Sequence, residues 1–233
     1  MQKLFLGMLL AAGVTTAQAQ VTGNLGLTSD YRFRGISQTQ NAAAVQGGVD
    51  YSHKSGFYAG NWNSSVSSQV YTNGAGAESD VYAGYKKELF KGVVVDVGSY
   101  NYFYPGAGTK FDTREVYAGL GYGPVAAKVS QSLGNYFGTA NSKNSTYTQF
   151  DLAQPITKQL SLVGHAGRTR VNNSTNLSYS DYNVGVSYDM SGWIVSGKYY
   201  TNTNLTSAMK AANTVNGEKL HDKAFVVSVG KSF

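Results

Sequence analysis

The chain has 233 residues, no cysteine, three prolines, 28 glycines and 18 tyrosines, with a formal net charge of +6 and 14% charged residues. The lack of cysteine excludes a disulfide scaffold and any thiolate metal site, and the basic residues are dispersed rather than clustered, which leaves no footprint for nucleic acid. The mean hydropathy of −0.26 resembles that of a soluble protein, yet a membrane β-barrel reads the same way because only alternate strand residues face lipid.

The first element is a leader. Lys3 gives a positive start, Leu4 to Val14 is apolar, and Ala17-Gln18-Ala19 has the small-x-small pattern of a signal-peptidase site. Residues 1–19 are therefore predicted to be a removed signal peptide, since the run is shorter than the ~20 residues a spanning helix needs. An exported chain without disulfides needs another source of stability, and a closed barrel supplies it through an unbroken ladder of backbone hydrogen bonds. Residues 20–233 are predicted to form one such domain.

The first strand is predicted over 21–34, with Val21, Leu25, Leu27, Tyr31 and Phe33 on one face and Thr22, Asn24, Thr28, Asp30, Arg32 and Arg34 on the other. The same alternation places further strands near 43–53, 57–66, 79–87, 92–104, 112–122, 125–134, 145–154, 159–169, 180–189, 192–201 and 223–233. Links of a few residues (54–56, 88–91, 123–124, 155–158, 190–191) alternate without exception with longer ones (35–42, 67–78, 105–111, 135–144, 170–179, 202–222) rich in Asn, Ser, Thr and Gly. A soluble sandwich has no reason to sort its loops this way. Outer-membrane barrels do, with short periplasmic turns, long extracellular loops and an even strand number. The prediction is an all-β, 12-stranded antiparallel up-and-down transmembrane barrel.

Parity assigns the faces. The lipid side collects Val49, Tyr51, Tyr58, Trp62, Val81, Tyr85 and the even positions 116–122, among others. Aromatics fall near strand ends: Tyr31, Phe33, Phe103, Tyr182, Tyr199 and Phe225 form an outer girdle, and Tyr51, Tyr58, Tyr85, Tyr122, Tyr188, Trp193 and Phe233 an inner one. In Val93-Val94-Val95-Asp96 both parities are apolar, and charge settles it: Asp96 turns inward because a carboxylate facing lipid costs more than a valine facing water. Lys231 breaks the lipid pattern and is tolerable only by snorkelling from near the chain end.

The opposite parity gives the pore-lining candidates Asp30, Arg32, Asp50, Asp80, Lys86, Asp96, Glu115, Lys128, Asp151, His165 and Lys198, with Asn61, Asn63, Gln149, Asn183 and Ser196 between them. Twelve strands spaced about 4.8 Å and tilted about 40° close at a radius of roughly 12 Å. That lies between a barrel filled by side chains and an open channel. The expectation is a narrow, mixed-charge pore for passive diffusion of small polar solutes, constricted by the longest loop, 202–222. The alternative is a closed-lumen structural or surface-interaction barrel.

No enzyme is legible. His165 and Ser161 lie four residues apart on one strand face, about 13 Å, beyond the reach of a nucleophile–base pair, and His221-Asp222 with Glu218 reads as a solvated loop cluster. No catalytic, cofactor-binding or metal-binding residue is predicted. The partners expected are outer-membrane lipid, the solute and the outer-membrane assembly machinery. The assembly machinery would read the closing strand, where Phe225, Val227, Val229 and the terminal Phe233 alternate.

Three stretches carry a family likeness: Thr22-Gly-Asn-Leu-Gly-Leu-Thr-Ser-Asp-Tyr-Arg-Phe-Arg-Gly-Ile-Ser-Gln-Thr39, Gln46-Gly-Gly-Val-Asp-Tyr-Ser-His53 and Ser55-Gly-Phe-Tyr-Ala-Gly-Asn-Trp62. Together they resemble the TorF family of proteobacterial porin-type proteins. The resemblance implies an outer-membrane barrel with a transport role in a Gram-negative bacterium, and it brings no agreed substrate and no catalytic residues.

Overall fold

A computed structural model describes residues 20–71, 74–107 and 111–233; the predicted leader lies outside them. Twelve antiparallel strands close on themselves. They are β1 Gln20–Thr28, β2 Ala44–Ser52, β3 Phe57–Ser65, β4 Ala77–Phe90, β5 Val93–Phe103, β6 Thr113–Tyr122, β7 Val125–Ser132, β8 Thr146–Pro155, β9 Leu160–Arg170, β10 Tyr179–Met190, β11 Trp193–Thr203 and β12 Ala224–Ser232. Each pairs with its neighbours in sequence, and β12 returns to β1 with Asn24 opposite Ser232 and Thr28 opposite Ser228. Beyond that ladder Gly23 and Phe233 exchange two backbone hydrogen bonds, of 2.9 and 3.0 Å, at the end of the seam. A closed sheet leaves no unpaired edge, which is why so much backbone can stand without a conventional core.

All the short links lie at one end of the barrel and all the long ones at the other. The alternation anticipated from the sequence is thus present, with tight turns at 53–56, 91–92, 123–124, 156–159 and 191–192. Outward positions are apolar and exposed on most strands: Leu25 and Leu27, Val81, Leu120, Phe150, and Val184 and Val186 stand clear of protein contact. Lys231, which the sequence marks as breaking the lipid pattern of the closing strand, lies opposite Trp193 with its Nζ 5.3 Å from the centre of the indole ring, a cation–π contact that eases its outward placement.

Two expectations are corrected. The first strand does not run to residue 34. After Ser29 donates its N–H to Val227 at 2.8 Å, the chain leaves the wall and folds inward as a small hairpin, Arg32–Phe33 against Ile36–Ser37. Its tip, Arg34-Gly35, has φ of 48° and 79°, a left-handed turn that glycine supplies without strain. Tyr31 and Phe33 therefore belong to an interior cluster with Tyr71, Tyr102 and Tyr104 rather than to an outer girdle.

The face of β3 is also reversed. Asp50 pairs with Gly60, and partners directly across a sheet share a face, so Tyr58, Gly60, Trp62 and Ser64 point inward. Asn61 and Asn63 point outward instead. The hydropathy of this strand favoured the opposite arrangement, but inward Tyr58 donates to Asp96 at 2.6 Å and Trp62 packs edge-on to Tyr31. The outward amides are satisfied locally: Asn63 bonds to Asn61, which reaches the Asp80 carbonyl at 2.8 Å.

Candidate functional site: a lumen closed by an inward hairpin

The inward-facing side chains enclose a cavity of about 870 Å³. It extends from Ser52, His53 and Phe57 at the turn end to the underside of the hairpin, where Asp30, Arg32 and Arg34 form its ceiling. Of the charged positions singled out in the sequence, Asp50, Asp80, Lys86, Asp96, Lys128, Asp151, His165 and Lys198 line the cavity from barrel strands, and Asp30 and Arg32 line it from the hairpin. Glu115 faces inward on β6 but is sealed off above the cavity, 1% exposed.

Glu115 is sealed because it holds the plug. Arg34 lays its guanidinium against the carboxylate at 3.0 and 2.6 Å, donates to the Tyr136 hydroxyl at 2.8 Å, and stands 4.1 Å from the centre of the Tyr147 ring. The Tyr179 hydroxyl donates to the Arg34 carbonyl at 3.0 Å, and Asn202 donates to that of Gly35 at 3.0 Å. A bidentate, aromatic-stacked arginine suits this position because its planar fork satisfies several partners at once. At its base the hairpin is tied by Asp30, which accepts from Ser37 at 2.6 Å and pairs with Arg32 at 2.6 Å.

The longest loop, 202–222 as read from the sequence and 204–223 between the strands of the structure, is the one expected to constrict the pore. It does not enter the barrel: no residue between 204 and 223 is among those lining the cavity. It forms α1, Ser207–Ala212, capped by Thr206, and a short hairpin, Thr214–Val215 with Glu218–Lys219. Met209 and Leu220 then pack with Tyr179 on Ile36 of the plug, and Ser37 donates its N–H to the Leu220 carbonyl at 2.9 Å. The loop clamps the plug from above. Its apolar residues find their burial there, which a polar lumen could not offer.

The lumen has two unlike walls. On β2 to β6 stand Asp50, Asp80 and Asp96 among tyrosines: Tyr82 donates to Asp50, Tyr58 to Asp96, and Tyr58 meets Tyr117. Lys86 stands in the same wall opposite Asp96, and Lys128 on β7 adjoins it with its Nζ 5.2 Å from the centre of the Tyr117 ring; the facing wall carries Lys198 on β11 and a cluster centred on His165. The His165 ring is 2.6 Å from Asp151, 3.1 Å from Asp181 and 2.8 Å from the Tyr147 hydroxyl. Sequence parity could have found Asp181, which shares its face with Asn183. Arg34 could not be found that way, because its role depends on the chain leaving the wall. Ser161 takes no part in the His165 cluster, and His221, buried in the clamp loop, bonds the Asn213 carbonyl at 3.1 Å. In the loop above the plug, burial near Glu78 pushes the Tyr71 hydroxyl well above its ordinary pKa.

A family model described as "Bacterial protein of unknown function (Gcw_chp)" matches residues 12–233. No curated protein matches the chain in sequence. Among solved structures, the chain is similar to the KdgM porin in complex with disordered oligogalacturonate, with a TM-score of 0.57 and 8% identity over 91% of this chain and 98% of that one. The NanC porin aligns with a TM-score of 0.55 and 11% identity over 92% and 99% of the two chains. An outer membrane channel from Pseudomonas putida F1 aligns at 0.52 and 9% identity over 94% and 97%. At such identities the likeness concerns the fold: a porin-type barrel spanning nearly the whole of each chain.

Proposed function

The chain belongs to the Gcw_chp family, and on that premise we propose that it is an outer-membrane channel for small polar solutes whose outer mouth is closed at rest by the Asp30–Thr39 hairpin. The single observation that carries this reading is the cavity of about 870 Å³, lined by charged side chains of both signs, that reaches from the turn end to the hairpin. A purely structural barrel has no need of such a space, and small barrels fill theirs with side chains. The apolar outer face and the sorting of short and long links support placement in the outer membrane, with the turns periplasmic and the clamp loop outside. The predicted leader over 1–19 and the TorF-like residues 22–62 point the same way.

In this mechanism the cavity is reached from the turn end, and the solute crosses the barrel only when the hairpin at the outer mouth yields. Arg34–Glu115 is the latch. Asp30, Arg32, Asp50, Asp80, Lys86, Asp96, Lys128, Asp151, His165 and Lys198 form the lining, whose mixed charge favours polar over apolar solutes. The closed-lumen alternative is favoured by the same hairpin, and conductance decides between them. Purified protein in a planar bilayer should show rare openings that become frequent when residues 31–38 are deleted. A deletion variant that is folded and still silent in several salts would leave the structural barrel as the better reading.

A further inference from the structure

Tyrosines do not merely fill the β3–β6 wall; they form a chain of rings along it. Tyr82 and Tyr100 are stacked, with centroids 5.0 Å apart and planes within 5°, and Tyr100 lies 4.8 Å from Tyr102. Above them Tyr102 meets Phe33 of the plug at 5.4 Å and Phe137 at 5.3 Å. Phe137 leads on to Tyr104 at 6.4 Å, which stacks on Tyr71 at 4.3 Å. The rings thus run from the cavity, past the hairpin, into the loops at the outer mouth. Glycines keep the lower rings close to the wall: an added Cβ on Gly60 would collide with Tyr82, and one on Gly98 with Tyr117.

Acceptors stand beside the rings. Asp50 and Asp96 each take a tyrosine hydroxyl and keep lone pairs for another donor. Asp80 Oδ1, buried in the same wall, has no hydrogen-bond partner. The arrangement disfavours net charge of either sign. Charges of both signs stand side by side in the lining: Lys86 lies directly opposite Asp96 in the ladder, Lys128 Nζ is 5.2 Å from the centre of the Tyr117 ring, and Lys198 stands across the lumen, so neither a cation nor an anion meets a wall of uniformly opposite charge. A flat apolar face edged by hydroxyl donors, without net charge, satisfies all three conditions at once.

Resting on the channel reading above, the geometry points to neutral sugars as the solute class, sliding with their C–H faces on the Tyr82–Tyr100–Tyr102 rings and their hydroxyls on Asp50, Asp80 and Asp96. The hairpin interrupts the track where Phe33 covers Tyr102, so the latch and the track form one path.

Calorimetric titration of the full chain, in a detergent without a sugar headgroup, tests this without requiring conduction. The probes are maltotriose, choline and galacturonate. Maltotriose should bind in the millimolar range. Tyr100→Ala should weaken it about tenfold, the value of one stacked ring, while Tyr100→Phe retains it. Tyr82→Ala repeats the test if Tyr100→Ala fails to give the heat-modifiable band of a folded barrel. No maltotriose heat, heat unchanged by both alanine variants, or heat from choline or galacturonate alone would overturn the sugar assignment. These results leave the channel reading to the conductance experiment, so the two fail separately.

Discussion

Arg34 and Glu115, 81 positions apart in the chain, meet through two hydrogen bonds of 3.0 and 2.6 Å with both side chains nearly closed to solvent. The pair joins the tip of an inward hairpin to the opposite wall of the barrel. Breaking a buried pair by removing one partner typically costs about 3–5 kcal/mol, because the remaining charge is stranded.

Glu115→Gln should therefore release the plug while leaving the barrel intact. The expected result is a large rise in channel open probability in a planar bilayer, with migration of the unheated band on a gel unchanged. An open probability equal to that of the parent would show that the pair does not hold the mouth shut.

The turn at the hairpin tip gives an independent handle. Gly35 has φ of 79°, and a Cβ there would lie 2.7 Å from Asp181 Cβ, so Gly35→Val both strains the turn and clashes with β10. Trypsin reads the consequence. Arg32 and Arg34 should resist cleavage in the parent protein and be cut rapidly in the variant; equal resistance would count against a tightly seated plug.

The reversal of β3 can be tested by labelling, since the chain has no native cysteine. Trp62→Cys should react with a water-soluble maleimide that enters the lumen, and faster when Glu115→Gln is added. Asn63→Cys should give the blue-shifted emission of an environment-sensitive dye in contact with lipid or detergent. The opposite assignment of the two positions would restore the face read from hydropathy.

On the outer face, Val184 is exposed on β10 between Tyr182 and Val186. Val184→Arg should lower unfolding stability in lipid by about 2–4 kcal/mol, the range for a cation near the bilayer midplane. Asn183→Arg, one residue away on the lumen face, should cost much less. Guanidinium unfolding in lipid vesicles separates the two.

The barrel seam makes the last prediction. Phe233 exchanges two backbone bonds with Gly23, and its ring occupies the space a Cβ on Gly23 would need. Deleting Phe233, or replacing Gly23 by Val, should impair closure of β1 on β12 and reduce the heat-modifiable form recovered from membranes. Phe225, Val227 and Val229 face outward on the same strand, so Val227→Asp should impair assembly in the same direction. Full recovery of all three variants would remove the closing strand from any assembly role.

The sequence by itself determined the strand number, the sorting of the links and the facing of eleven strands, because period-2 alternation and loop length are local properties written residue by residue. It also placed Asp96 inward from the cost of a carboxylate in lipid alone. What it could not decide were events in which distant partners outweigh local pattern. Residues 30–34 alternate as well as any strand, yet the left-handed Arg34-Gly35 turn and a glutamate on β6 draw them into the lumen. Tyr58 and Trp62 read as lipid-facing, but Asp96, Tyr117 and Tyr31 were waiting for them inside. Only the closed tertiary structure brings those groups to one place, and it alone turns an alternating pattern into a latch and a track.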